Sequence, residues 1–210
     1  MPGFEAILLI TLIVAAAVGS GVLYTVLARD SHSASGEALA AGDFDEARAA
    51  ATGDSRSDLL AGAIAAKHLL DFDSAEALLA QILDDDPGDG EAWLERGLVA
   101  AYAERWIDAE ESLQRAASTR SDLLEAVTLH RAWIALESQD LGRARHLFED
   151  VETPIENKLR VDIGGGDPLF AEWFWQASRL WTHVGDAERA DWAWREGVLA
   201  APKSQLPKRI

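Results

Sequence analysis

The sequence predicts an all-α protein: one N-terminal transmembrane helix followed by a stack of helical hairpins. Three observations carry that prediction. In the soluble part Ala, Leu, Glu and Arg are abundant, runs of β-branched residues are scarce, and prolines in the whole chain number six, a balance that favours helix over strand. The run from Ala6 to Ala28 holds no charge and no proline. Along the remainder a turn, a bulky residue and then an alanine recur, with Ala75, Ala109 and Ala144 spaced by 34 and 35 residues, a period that marks a repeat architecture.

The apolar run comes first. At about 1.5 Å rise per residue, residues 6–28 make a helix of roughly 35 Å, enough to cross a hydrocarbon core of about 30 Å. A cleaved signal peptide would carry a basic leader, but the short N-tail 1–5, MPGFE, has no Lys or Arg. Apolar sequence also continues well beyond the small residues Ala15 to Ala17. The expectation is therefore a retained single-pass membrane anchor. Ala15 with Gly19, Ala16 with Ser20 and Ala17 with Gly21 form small-xxx-small pairs, positions at which helices approach closely in lipid. Arg29 follows the run, whereas the N-tail offers only its amine, offset by Glu5. That asymmetry favours a cytoplasmic over a periplasmic soluble domain. Residues 29–35 read as a polar tether.

Composition bounds the soluble part. There is no cysteine, which removes disulfides, thiol nucleophiles and cysteine-ligated metals. The net charge of −17 argues against nucleic acid and against lying on anionic lipid, and suits a basic partner.

The repeat is legible in GDFDEARAA (42–50), LDFDSAEALL (70–79), ERWIDAEESL (104–113), QDLGRARHLF (139–148) and GDAERADWAW (185–194). Their aligned alanines are Ala47, Ala75, Ala109, Ala144 and Ala190. With two helices per unit, this resembles the tetratricopeptide repeat. The best unit runs from Gly90 to Leu123, where Trp93 and Gly97 match the bulky and small residues of the first helix, and Ala109, Leu113 and Ala116 match the second. Pro87 and Pro202 stand at the family's terminal proline. The resemblance implies a right-handed superhelix over residues 36–204, in units 36–55 (truncated), 56–89, 90–123, 125–158 and 171–204, with residues 205–210 as a tail. First helices are predicted near 57–69, 91–103, 123–137 and 168–183. Second helices are predicted near 44–52, 73–84, 107–117, 141–150 and 187–200. Phe44, Phe72, Trp106 and Leu141 are the expected fillers between neighbours. Residues 154–168, PIENKLRVDIGGGDP, read as a loop insertion, because Gly164 to Gly166 cannot sustain a helix.

No motif carries chemistry. Asp84, Asp85, Asp86, Asp89 and Glu91 lack calcium-loop spacing, and Pro87 interrupts them; they read as the end of one helix and the cap of the next. His32, His68, His130, His146 and His183 include no i, i+4 pair. No nucleophile elbow occurs, and the acid after the glycines would repel phosphate. The expectation is a non-enzyme with no metal or cofactor.

The resemblance implies that first helices line a concave groove. The candidate groove residues are Leu60, Ile64, Lys67 and His68, then Leu94, Leu98 and Tyr102, then Leu129, Trp133 and Glu137, then Trp175, Arg179 and His183. This set is a partner groove or, if the array closes tightly, core. Trp173, Trp175, Trp181, Trp192 and Trp194 crowd the last unit, which either docks against the preceding insertion or meets a partner. The function implied is a membrane-anchored scaffold, a subunit or assembly factor of a membrane complex that contacts other subunits through both its anchor and its repeats. The alternative is a periplasmic delivery module of the kind that serves cytochrome c maturation.

Overall fold

A computed structural model describes residues 33–53, 55–161 and 168–206. Among them the chain forms ten α-helices: α1 (Ala34–Ala40), α2 (Phe44–Ala50), α3 (Arg56–His68), α4 (Phe72–Asp85), α5 (Gly90–Tyr102), α6 (Trp106–Thr119), α7 (Leu124–Glu137), α8 (Leu141–Val161), α9 (Ala171–Val184) and α10 (Ala187–Ala200). They pair into five antiparallel hairpins. Each second helix packs on its own first helix, and the first four also pack on the first helix of the next unit, an array of stacked helical hairpins in which every hairpin depends on its neighbours for burial.

The five turns share one construction. The residues in the left-handed region are Gly42, Leu70, Glu104, Gln139 and Gly185. Each donates its N–H three residues back, and the following residue donates five back, as in Gln139 to Leu136 (3.1 Å) and Asp140 to Ala135 (2.8 Å). This is the Schellman closure of a helix end. The residue after it then opens the second helix, and Asp43, Asp71, Asp140 and Asp186 each cap the amide three residues on. Arg105 holds the equivalent place with no side-chain cap.

The alanine register is the packing register. Ala47, Ala75, Ala109, Ala144 and Ala190 are all buried. Opposite them, twelve residues earlier, stand Ser35, Ala63, Gly97, Ala132 and Ser178, also small and buried. Ser178 Oγ donates to the Ala190 carbonyl at 2.8 Å. A methyl on Gly97 would lie 2.8 Å from Leu113 Cγ and 3.3 Å from the Ala109 carbonyl. Gly97→Leu is therefore expected to cost on the order of 1–3 kcal/mol or more, read as a fall in the thermal midpoint; an unchanged midpoint would refute this register.

Several expectations are corrected. Ser33 caps the amide of Gly36, so α1 begins at Ala34 where a tether to residue 35 was expected. Helix α8 runs through Pro154 to Val161 where a loop from 154 was expected. Its buried stripe Ala144, Phe148, Val151, Ile155 and Leu159 continues at spacings of three and four, and that burial outweighs the donor lost at the proline. The glycines 164–166 lie outside the described residues. Phe44 is buried and Phe72 and Trp106 partly so, but Leu141 is exposed. The tail begins later than expected, since Gln205 and Leu206 pack onto the array. The acidic knot is a cap: Asp89 accepts from the amides of Glu91 and Ala92 and pairs with Arg56.

The single-pass membrane localisation is also corrected. Among the described residues no helix is long and apolar enough to cross a membrane. The run 6–28 that carried the expectation lies outside them, as do its packing positions Ala15, Gly19, Ser20 and Gly21.

The aromatic last unit docks on the α8 extension. Trp181 Nε1 donates to Glu152 at 3.0 Å and its ring meets Phe148 edge-on. Arg189 reaches both Glu152 (2.7 Å) and Glu156 (2.9 Å). The far ends of the array then meet. Helix α1 packs on the short turn Pro168–Phe170, Lys203 pairs with Asp43 at 2.7 Å, and Gln205 N–H donates to the His68 carbonyl at 2.8 Å.

Candidate functional site

Where the array closes, the first helices α3, α5, α7 and α9 turn the expected groove into interior. Leu60, Ile64, Leu94, Leu98, Leu129 and Trp133 are buried, as are Lys67 and His68. Tyr102 packs against Trp133 with ring centroids 4.9 Å apart and the rings tilted by 45°. Glu137 and Arg179 pair with each other across α7 and α9 at 2.6 Å. Trp175 faces α10, where a methyl on Gly197 would touch its Nε1. His183 is half-buried. The open groove is thus corrected to packed core: spacings of three and four identified the right helix faces, but five units bring those faces together.

Set in this apolar interior is a polar cluster. Lys67, 1% exposed, places its Nζ 2.7 Å from Glu95 Oε2 and 2.5 Å from Glu172 Oε1. His68 Nε2 lies 3.2 Å from the same Glu172 oxygen, while its ring stacks on Phe44 at 4.3 Å. One turn along α9, Gln176 accepts from His130 Nδ1 at 2.6 Å. The cluster ties α3 to α5 and α9, which belong to the second, third and fifth units.

The charges distribute unevenly. Burial opposes ionisation of Glu172, but Lys67 and His68 outweigh it and hold its carboxyl well below the usual carboxylate range. Burial raises Glu95, with the neighbouring Glu172 charge adding to it against the pull of Lys67. Lys67 is raised because its two carboxylates outweigh its desolvation. Burial and then the Glu172 charge push the Tyr102 phenol well above its ordinary value. The arrangement is one cation shared by two carboxylates, with the His68 ring facing one of them. It can bind elements together and can respond to protons.

Burial depresses the His130 imidazole to about 4, with Gln176 opposing. A histidine that is harder to protonate when folded contributes stability that is fully present above its unfolded value and is lost as pH falls towards its folded one. The window here runs from 6.5 down to about 4. Over it His130 is expected to contribute a loss of about 3 kcal/mol, opposed by Glu95, whose raised carboxyl takes up its proton more readily in the native chain, measured by urea unfolding at stepped pH. His130→Gln should flatten that limb, and an identical slope would remove His130 as its source. The carboxylates held low elsewhere act below this window.

Glu95, Glu172, Gln176 and Ser204 were not singled out from sequence, and His130 was weighed only as a metal ligand. The signal was present in AEWFWQASRLW, where Glu172 and Gln176 sit four apart among aromatics. Such a pair on one face of an apolar helix requires buried partners.

Two crystal structures of MamA are similar to this chain. One aligns at 15% identity and a TM-score of 0.48, over 81% of this chain and 89% of MamA. The other gives the same identity and score over 80% and 95%. No protein family's sequence profile matches the chain, and no curated protein matches it.

Proposed function

We propose that this chain is a non-enzymatic helical-repeat scaffold that binds another protein as a subunit or assembly factor of a complex. The observation that supports this reading lies on the turn edge of the array. Leu70, Ile107 and Leu141 are 42%, 84% and 46% exposed at or just after three consecutive hairpin turns. Those turns abut, since Arg105 pairs with Glu76 and Arg143 with Glu110 across successive units. Three large aliphatic side chains held out in a row, on an otherwise charged surface, favour contact with a partner. The interior supports the same reading, because its ionisable groups are engaged with one another.

The test places a photo-reactive residue at 107 in the native host and purifies the cross-linked product. The expected result is one defined protein at fixed stoichiometry, with the complex lost in Ile107→Asp/Leu141→Asp while the unfolding midpoint is unchanged. No product at 107, or a complex indifferent to both charges, would overturn the reading.

A further inference from the structure

We propose that the shelf beneath residues 202–206 is a peptide-binding site, covered by the chain's own C-terminal segment and able to take a segment of similar chemistry from a protein partner. That chemistry is a basic residue, a small hydroxyl residue, any residue, then a bulky aliphatic. This goes beyond the turn-edge contact and does not depend on it.

After α10 the chain leaves the helix and crosses the first and second units with a separate contact at each step. Lys203 Nζ lies 2.7 Å from Asp43 Oδ2, with Asp45 and Glu46 of the same α2 turn adding to the field around it. Ser204 Oγ lies 2.9 Å from His68 Nδ1. The other ring nitrogen faces the Glu172 carboxylate at 3.2 Å. In the neutral imidazole the proton sits on Nε2, facing a carboxylate that only accepts, and Nδ1 then accepts from the serine hydroxyl. The same Oγ then accepts the Leu206 N–H at 3.2 Å. A side chain without a hydroxyl could not make both bonds. The Gln205 N–H donates to the His68 carbonyl at 2.8 Å, a bond any peptide can make, while its side chain faces solvent. Leu206 is 2% exposed. After a turn closed by the Ser204 N–H on the Ala201 carbonyl at 3.2 Å, an acidic subsite, a hydroxyl subsite, a main-chain acceptor and an apolar subsite therefore succeed one another along the segment. The shelf is held rigid by the stacking of Phe44 on His68.

The covering segment is suited to displacement. Its lysine is 61% exposed and its ion pair contributes little at that exposure. The buried Leu206 and the covalent tether, which presents the segment at an effective concentration on the order of millimolar, hold it in place. A competing segment from outside succeeds when the tethered one is weakened. The net charge of −17 favours a basic competitor.

The experiment uses the full-length chain and a fluorescent peptide LAAPKSQL, residues 199–206. Gln205→Pro removes the main-chain donor and Leu206→Asp removes the apolar anchor of the tethered copy. Anisotropy titration is expected to give at least tenfold tighter peptide binding to either variant than to the native chain. A peptide carrying Leu206→Asp should lose more than tenfold. If the Leu206→Asp chain fails to fold by circular dichroism, Gln205→Pro, which keeps the leucine, carries the comparison. Equal binding to native and variant chains, or none to a folded variant, would overturn the proposal. A dimer with exchanged tails that excludes the peptide, detected by light scattering, would overturn it as well.

Discussion

Lys67→Ala is expected to lower the unfolding free energy by about 3–5 kcal/mol, the loss typical of breaking a buried ion pair from one side. The ammonium is the shared cation of Glu95 and Glu172. Removing it leaves two carboxylates facing each other in an apolar interior. The companion variant decides whether the charge or the packing matters: Lys67→Met with Glu95→Leu and Glu172→Leu replaces all three members by apolar groups and should recover much of the loss. Urea unfolding of the two variants measures both quantities. A loss under about 1 kcal/mol for Lys67→Ala would mean that water reaches the cluster and that the interior is not closed.

Trp133→Ala is the second large effect. The indole is buried against Tyr102, and truncating a buried Trp costs about 3–5 kcal/mol. Calorimetry should show a fall in the midpoint for Trp133→Ala, whereas an exposed groove residue would leave it nearly unchanged. Any loss of partner binding in this variant should then follow the unfolded fraction. A folded variant of native stability that fails to bind would restore the open groove.

Local patterns in the chain were sufficient for the helices and their register. The aligned alanines all reach the core, and first and second helices lie within a few residues of their predicted bounds except at α8. Spacing of apolar residues reports which face of a helix is buried, and each unit carries its own copy of that information. The exceptions have particular causes. Proline and the glycines after it read as a loop, yet the stripe Val151, Ile155 and Leu159 binds α8 to its neighbours through that point. Leu70, Glu104 and Gln139 adopt a turn conformation that side chains disfavour, so no glycine announces those turns. The groove faces were found but their fate was not. Whether they face a partner or one another depends on how the units rotate along the stack, and no single unit encodes that. Lys67 was placed on the concave face by its spacing, while its partner Glu172 lies more than a hundred residues away.

The meeting of the first and last units changes what kind of repeat protein this is. A linear stack frays from its ends, and its stability grows unit by unit through nearest-neighbour terms. Here His68 holds Ser204 and Lys67 holds Glu172, so the early and late units protect each other. Loss of order at either end exposes the opposite end as well, which couples distant hairpins into one cooperative block. The number of hairpins is fixed by the same bonds. Duplicating a central unit would leave every helix intact and yet carry Lys67 away from Glu172, so this array cannot lengthen by the unit-wise duplication open to linear stacks.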